Sequence, residues 1–184
     1  MVQITLGDIA NESSKEAQFS RLVHLYHGRA LSMAWRMLKG EQAAAEDVVQ
    51  DAFLKAYKGL EKFRGESELS TWFFTILIRE VRSHQRRSKL RTWLTLDRVF
   101  EPARNEPEND VGLQKRIASA LESLTERQRT AFVLVYLEEF SLVEASKIMG
   151  CSPGSLKSHL FRARKQMKSC LKDLENLLTT KESK

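Results

Sequence analysis

The chain has 184 residues, 42% of them apolar, and 30 Lys and Arg against 24 Asp and Glu, a formal net charge of +6. That length holds one ordinary domain or two small ones, and the apolar share excludes disorder, collagen and low complexity for the chain as a whole. Its 8 Gly and 3 Pro amount to about 6%, roughly half the usual share, which argues against a turn-rich β-sandwich and for an all-α fold.

The N-terminus, with no basic head and no long apolar core, does not read as a secretory signal. Phe19, Leu22, Val23, Tyr26, Ala30, Met33, Ala34 and Met37 recur at three- and four-residue steps, predicting a long amphipathic helix that Gly40 ends. Glu41–Leu60 repeats the pattern through Ala44, Val48, Ala52, Phe53, Ala56 and Leu60. Gly59 and the segment Phe63-Arg64-Gly65-Glu66-Ser67 mark a loop. Ser70 or Thr71 is then the expected cap of a third helix running to about Arg91.

That third helix carries Arg79, Arg82, Arg86, Arg87, Lys89 and Arg91 against Glu80, with Phe63, Trp72, Phe73 and Phe74 upstream. Basic groups track phosphates, and aromatic faces stack on bases drawn out of a duplex. At helical spacing, however, Trp72, Phe73 and Ile76 also read as ordinary core. No apolar run approaches the roughly 20 residues of a membrane span; Phe73–Ile78 is broken at Thr75.

Thr92–Gly112 has a different character. It holds Pro102 and Pro107, and Asp97, Glu101, Glu106, Glu108 and Asp110 outnumber Arg98 and Arg104. Such a segment reads as an acidic flexible linker. It separates residues 1–91 from a second helical unit, residues 113–184, in which Ala118, Leu121 and Leu124 precede Thr125, with Phe132, Val135 and Tyr136 beyond.

Within that second unit Ser141 is placed to cap a short helix with inner face Leu142, Ala145, Ile148 and Met149. Gly150 sits where the chain must turn sharply, and Ser152-Pro153 pairs an N-cap with a first-turn proline. The next helix buries Leu156, Leu160, Ala163 and Met167, while six Lys and Arg and no acid fall between Lys157 and Lys172. Small residues, Ala145 and Ser146, let the two helices cross closely. This is the pattern of a helix-turn-helix whose second helix enters a DNA major groove. Its bland alternative, an αα-corner with a solvated basic face, leaves the second basic helix at 79–91 unexplained.

Cys151 and Cys170 have neither CxxC nor His/Cys zinc spacing and read as reduced thiols. Asp47 and Asp51 form a lone i, i+4 pair, with no metal-binding motif for a nuclease.

Ala45–Phe74 closely matches the region 2 block of the extracytoplasmic-function (ECF) sigma factors, and residues 140–167 match their region 4 helix-turn-helix. The chain therefore resembles this two-domain branch of the sigma-70 family of bacterial transcription initiators, over roughly 19–91 and 113–172. The resemblance implies a factor that binds core RNA polymerase, recognises −35 and −10 promoter elements and promotes DNA opening, with no enzyme chemistry and no cofactor. By residue, it implies that Ser155, Lys157, Ser158, Phe161, Arg162, Arg164 and Lys165 meet the −35 element, with Arg127 and Arg129 as further phosphate contacts. Phe63, Arg64, Ser67 and Trp72, in and after the loop Phe63–Thr71, would serve the −10 element together with Arg79, Arg82 and Arg86. Asp47, Gln50, Asp51, Phe53 and Leu54 would dock on the polymerase clamp.

Arg79 stands where many members have Asn, which leaves the base selected at the flipped position open. An anti-sigma factor, often membrane-bound, is the further partner implied, with a bacterial cytoplasmic location at or near the inner membrane. Little chain follows the second unit, so no built-in regulatory domain is expected. A one-component helix-turn-helix regulator is the alternative; it requires a ligand pocket or dimer helix in residues 1–91, and neither signature is present.

Overall fold

The computed structural model describes residues 15–94 and 111–181, with the side chains of 15–91, 93 and 116–170. Among the described residues every regular element is helical, as the scarcity of Gly and Pro requires. The chain divides into two compact units at about residue 100.

In the first unit, α1 (Lys15–Met37) buries Leu22, Tyr26, Ala30, Met33, Ala34 and Met37, the expected stripe without Phe19 and Val23, which are half-buried. Lys39 and Gly40 both take positive φ, and the Gly40 N–H donates to the Trp35 carbonyl at 2.9 Å, closing the helix end. α2 (Gln42–Gly59) buries Ala45, Val48, Val49, Ala52, Phe53 and Ala56. A 3₁₀ turn, Leu60–Lys62, leads into the loop before α3 (Leu69–Leu94).

The loop thus ends at residue 68, and Ser70 and Thr71 lie inside the first turn of α3, where Thr71 is buried, instead of capping it. Leu69 explains the earlier start. Packing its buried side chain fixes the first turn, and the Trp72 N–H reaches the Glu68 carbonyl at 3.0 Å.

Aromatic rings form the centre of this three-helix unit. Phe73 lies 4.6 Å from Phe53 and 5.9 Å from Tyr26, stacked in both cases, and meets Phe74 edge-on at 5.3 Å. Each such pair contributes about 0.5–1.5 kcal/mol beyond area burial. Glu80 is turned inward from the basic face of α3 and pairs with Lys55 of α2 at 2.5 Å.

α4 (Val111–Glu122) opens the second unit. Of the expected linker, Thr92–Leu94 and Val111–Gly112 are therefore helical, and 95–110 lie outside the described residues. α5 (Glu126–Phe132) follows the cap residue Thr125, whose N–H donates to Gln128 Oε1 at 3.1 Å, and runs into a π turn, Val133–Leu137. α6 (Leu142–Met149) and α7 (Pro153–Lys181) complete the chain. α7 packs on α4 and α5; Ala163 and Met167 join Ala120, Leu121 and Leu124 in one apolar cluster. Both cysteines are half-buried free thiols.

Candidate nucleic-acid interface

Three local devices build the α6–α7 corner. Ser141 and Glu144 form a reciprocal capping box: Ser141 Oγ accepts from the Glu144 N–H at 3.2 Å, and Glu144 Oε2 from the Ser141 N–H at 2.9 Å. Gly150, at φ +61°, reverses the chain, and the Cys151 N–H closes on the Ser146 carbonyl at 3.1 Å. Ser152 Oγ then accepts from the Ser155 N–H at 3.1 Å, with Pro153 at the first position of α7. The buried side chains of α6 are Ala145, Ser146, Ile148 and Met149. Leu142, expected inside, is exposed: it starts the helix one turn ahead of that face.

On α7, Leu156, Leu160, Ala163 and Met167 are buried as the spacing requires. That fixes the rotation of the helix and turns Lys157, Ser158, Phe161, Arg162, Arg164 and Lys165 outward, with Ser155 exposed in the first turn. Phe161 is 71% exposed among cations. A side chain of that size gains nothing from folding in such a place, but it suits contact with the methyl group of a thymine edge. The Ser158 hydroxyl donates to the Gly154 carbonyl at 3.1 Å, which anchors it and leaves its lone pairs outward.

Arg127 is exposed on α5, whereas Arg129 is not a phosphate contact and not a solvated residue. It is 2% exposed, donating from Nε to the Leu121 carbonyl at 2.7 Å and from Nη2 to those of Glu122 and Leu124 at 2.9 and 3.0 Å. Those carbonyls lie at and just beyond the end of α4, where the Leu124 N–H reaches the Leu121 carbonyl at 3.2 Å and the guanidinium supplies further donors. Burial pushes its ionisation below the ordinary arginine value, opposed by Glu122 and Glu126.

The first unit offers a second basic surface. Phe63 and Trp72 pack ring to ring at 5.1 Å across the loop, and Gly59 admits the indole, since a Cβ there would stand 3.2 Å from Trp72 Cζ2. Arg64 is exposed and Ser67 half-buried on the loop, which Gly65 turns at φ +69°. Arg79 and Arg86 are exposed along α3 and Arg82 is half-buried. Phe73 and Phe74, by contrast, are fully buried and serve the core.

On α2 the exposed residues Asp47, Gln50, Asp51 and Leu54 form one face, with Leu54 51% exposed. Phe53 departs from the expected set. Only 7% exposed, it turns in with Val49 and Ala56 onto Phe73, leaving its edge at the floor of a groove. That groove, about 460 Å³, runs between α1 and α2 and is walled by Val23, His27 and Leu31 opposite Gln50 and Leu54. Sequence reasoning missed the α1 wall; the signal available was Leu31, an apolar residue left outside the buried stripe.

Comparison with known proteins adds an independent line. The sigma-70 region 2 profile matches residues 22–95, and the profile of sigma-70 region 4 matches residues 114–167. The ECF RNA polymerase sigma-E factor of Haemophilus influenzae is 29% identical over 183 residues, covering 92% of this chain and 95% of that one. The ECF RNA polymerase sigma factor EcfG of Rhodopseudomonas palustris is 31% identical over 135 residues, 73% of this chain and 75% of its own.

Among solved structures, the sigma factor RpoE in complex with the anti-sigma factor NepR from Bartonella quintana aligns with a TM-score of 0.74 at 30% identity, covering 84% of this chain and 96% of that one. CnrH in complex with the cytosolic domain of CnrY aligns at 0.63 and 25% identity, covering 90% and 92%. With both region profiles matched in order and relatives aligned over most of both chains, the chain belongs to the ECF sigma factors of the sigma-70 family.

Proposed function

We propose that this sigma factor binds core RNA polymerase through the outer face of α2, reads the −35 element with α7, and engages the −10 element with the 63–68 loop and the basic face of α3. In this reading residues up to 91 form the polymerase and −10 domain, and residues from 113 the −35 domain. The chain supplies recognition and strand separation, and the polymerase supplies the chemistry.

The observation that carries the reading is the outward row on α7. Lys157, Ser158, Phe161 and Arg162 face away from a buried stripe, on a helix held by a capped, glycine-turned corner. Such a helix presents donors and one apolar group to base edges, with flanking cations for phosphates. On the first unit, the Phe63–Trp72 pair beside Arg64 and Arg79 has the aromatic and cationic character that holds an unstacked base. Asp47, Asp51 and Leu54 combine charge with an exposed apolar side chain, as protein docking faces do.

Two similar structures hold a partner chain, an anti-sigma factor in one and the cytosolic domain of CnrY in the other. They support an anti-sigma partner for this chain as well. A promoter-binding factor works where the chromosome is, so the location is cytoplasmic, with a membrane-held anti-sigma factor as one means of storage.

Run-off transcription on a fragmented bacterial genome tests the reading. Core polymerase with the chain should start at a small set of sites sharing two spaced elements, and core polymerase alone should not. Absence of chain-dependent start sites, or metal-dependent strand cleavage by the chain alone, would overturn it.

A further inference from the structure

α3 outruns the unit it belongs to. Its last buried residue is Val81, and residues 82–85 are half-buried. Beyond them Arg86 to Arg91, and Trp93, are exposed on every side of the helix. Two of these side chains are large and apolar: Leu90 is 58% exposed, and Trp93, at 77%, is more exposed than any other large apolar side chain among the described residues.

Their placement is not scattered. The buried Leu77, Ile78 and Val81 set the rotation of α3, and Gln85 Nε2 donates to the Met37 carbonyl at 3.2 Å just before the projecting stretch begins. At about 100° per residue, Arg79, Arg82, Arg86, Leu90 and Trp93 then fall within an arc of about 80° on the opposite face. Arg87 and Lys89 flank that arc, and Val81–Leu94 holds no carboxylate. The face that carries the −10 arginines therefore runs on into two apolar side chains left in water. Single exposed apolar residues need no explanation, but a pair in register with a cationic row marks a surface that something covers.

Resting on the assignment of α3 to the −10 element, we propose that the projecting end of α3 holds the backbone of the paired spacer DNA beside that element. Strand separation runs from the −10 element toward the start site, so the duplex adjoining it lies on the −35 side. Trp93 stands about 21 Å beyond Arg79 along the helix axis, the length of about six base pairs at ~3.4 Å per phosphate on each strand. Arg86, Arg87 and Lys89 meet phosphates; Leu90 and the indole cover the apolar face of the deoxyribose between them. Trp93 Nε1–H, which only donates, serves a phosphate oxygen. Such contacts position the duplex and carry no base preference.

The test uses the full chain assembled with core polymerase on a promoter found by run-off transcription. Trp93 is replaced by the photo-cross-linker benzoylphenylalanine, with each DNA strand end-labelled. Irradiation should mark the spacer within about six base pairs of the −10 element. A cross-link to a polymerase subunit would make the stretch a protein-docking face, and one inside the −10 element would make Trp93 part of the base pocket. Either result overturns the proposal, as does the absence of any cross-link to DNA.

Promoter affinity gives a second arm. Trp93→Ala should weaken the promoter complex by about tenfold whatever the spacer sequence, and Trp93→Phe, a ring without the N–H, should recover part of that loss. Melting and affinity for core polymerase should stay unchanged, because the side chain covers little in the free protein. Unchanged promoter affinity, or a loss confined to one spacer sequence, overturns the proposal. Arg79→Ala and Arg86→Ala examine the assignment beneath it. If both leave promoter opening intact, the −10 role of α3 falls and this inference with it; if they impair opening while Trp93→Ala leaves affinity unchanged, this inference falls alone.

Discussion

Replacing Arg129 with alanine should melt the second unit while sparing the first. The guanidinium makes three short bonds to the carbonyls of Leu121, Glu122 and Leu124, and those to Leu121 and Leu124 are buried. Water that could replace the lost donors is excluded from these two, since Arg129 itself is only 2% exposed. With a charged donor contributing about 1.5–3 kcal/mol per bond, loss of these two bonds costs about 3–6 kcal/mol, toward the lower end because the Leu121 carbonyl keeps the Leu124 N–H.

That is a large part of the ~5–15 kcal/mol that holds a whole domain. Arg129→Lys keeps the charge but not the planar fork, so one ammonium must choose among the carbonyls and the loss should fall between wild type and alanine. All 3 Trp (Trp35, Trp72 and Trp93) lie in the first unit, so indole emission reports that unit, while far-UV circular dichroism reports both. In urea, the alanine variant should show an early dichroism transition with an unmoved Trp midpoint. An unchanged dichroism curve would refute the reasoning; unchanged stability with lost DNA affinity would return Arg129 to the phosphate contacts.

Arg162→Ala should weaken binding to the specific −35 duplex by about 1–3 kcal/mol and relax preference at one base pair; equal losses on scrambled DNA would deny it a base-reading role. Phe161→Ala, at a position 71% exposed, should leave the melting curve in place while lowering −35 affinity. Leu156→Ala, at a position fully buried, should instead cost about 2–5 kcal/mol of stability, and a melt as insensitive as that of Phe161→Ala would contradict the rotation given to α7. Gly150→Ala should cost about 1–2 kcal/mol, all of it from the backbone, because an added Cβ meets nothing within 4 Å and only the positive φ opposes it; calorimetry of the variant checks this.

What could be read from the sequence was what depends on near neighbours. The stripe at 156, 160, 163 and 167 fixes the face of α7 by arithmetic alone, and Ser141, Gly150 and Ser152 act within three or four residues of themselves. Arg129 was illegible for the opposite reason. Flanked by Gln128 and Thr130, close to Arg127, it reads as one more solvated cation; only the folded-back end of α4 supplies the carbonyls that bury it. Phe53 is a different case: the spacing of α2 already set it in the apolar stripe, and only the resemblance placed it on the docking face. Its stacking on Phe73 of another helix decides between the two in favour of the stripe. The early start of α3 likewise depends on Leu69 finding a core, a tertiary condition that overrides the better capping chemistry of Ser70 and Thr71.

The helices assigned to recognition divide stability and binding between opposite faces. On α2, the buried Ala45, Val49, Ala52 and Phe53 set the rotation that leaves Asp47, Asp51 and Leu54 outward. On α7, Leu156 and Ala163 do the same for Phe161 and Arg162. Leu54 and Phe161 are therefore informative in a way the cations are not. A surface lysine or arginine is well solvated and needs no partner, whereas an apolar side chain left mostly in water by a rotation that the core dictates gains free energy only when something covers it. Each marks the centre of its face, and the surrounding charges set what the covering surface must look like: cationic against α2, polyanionic against α7.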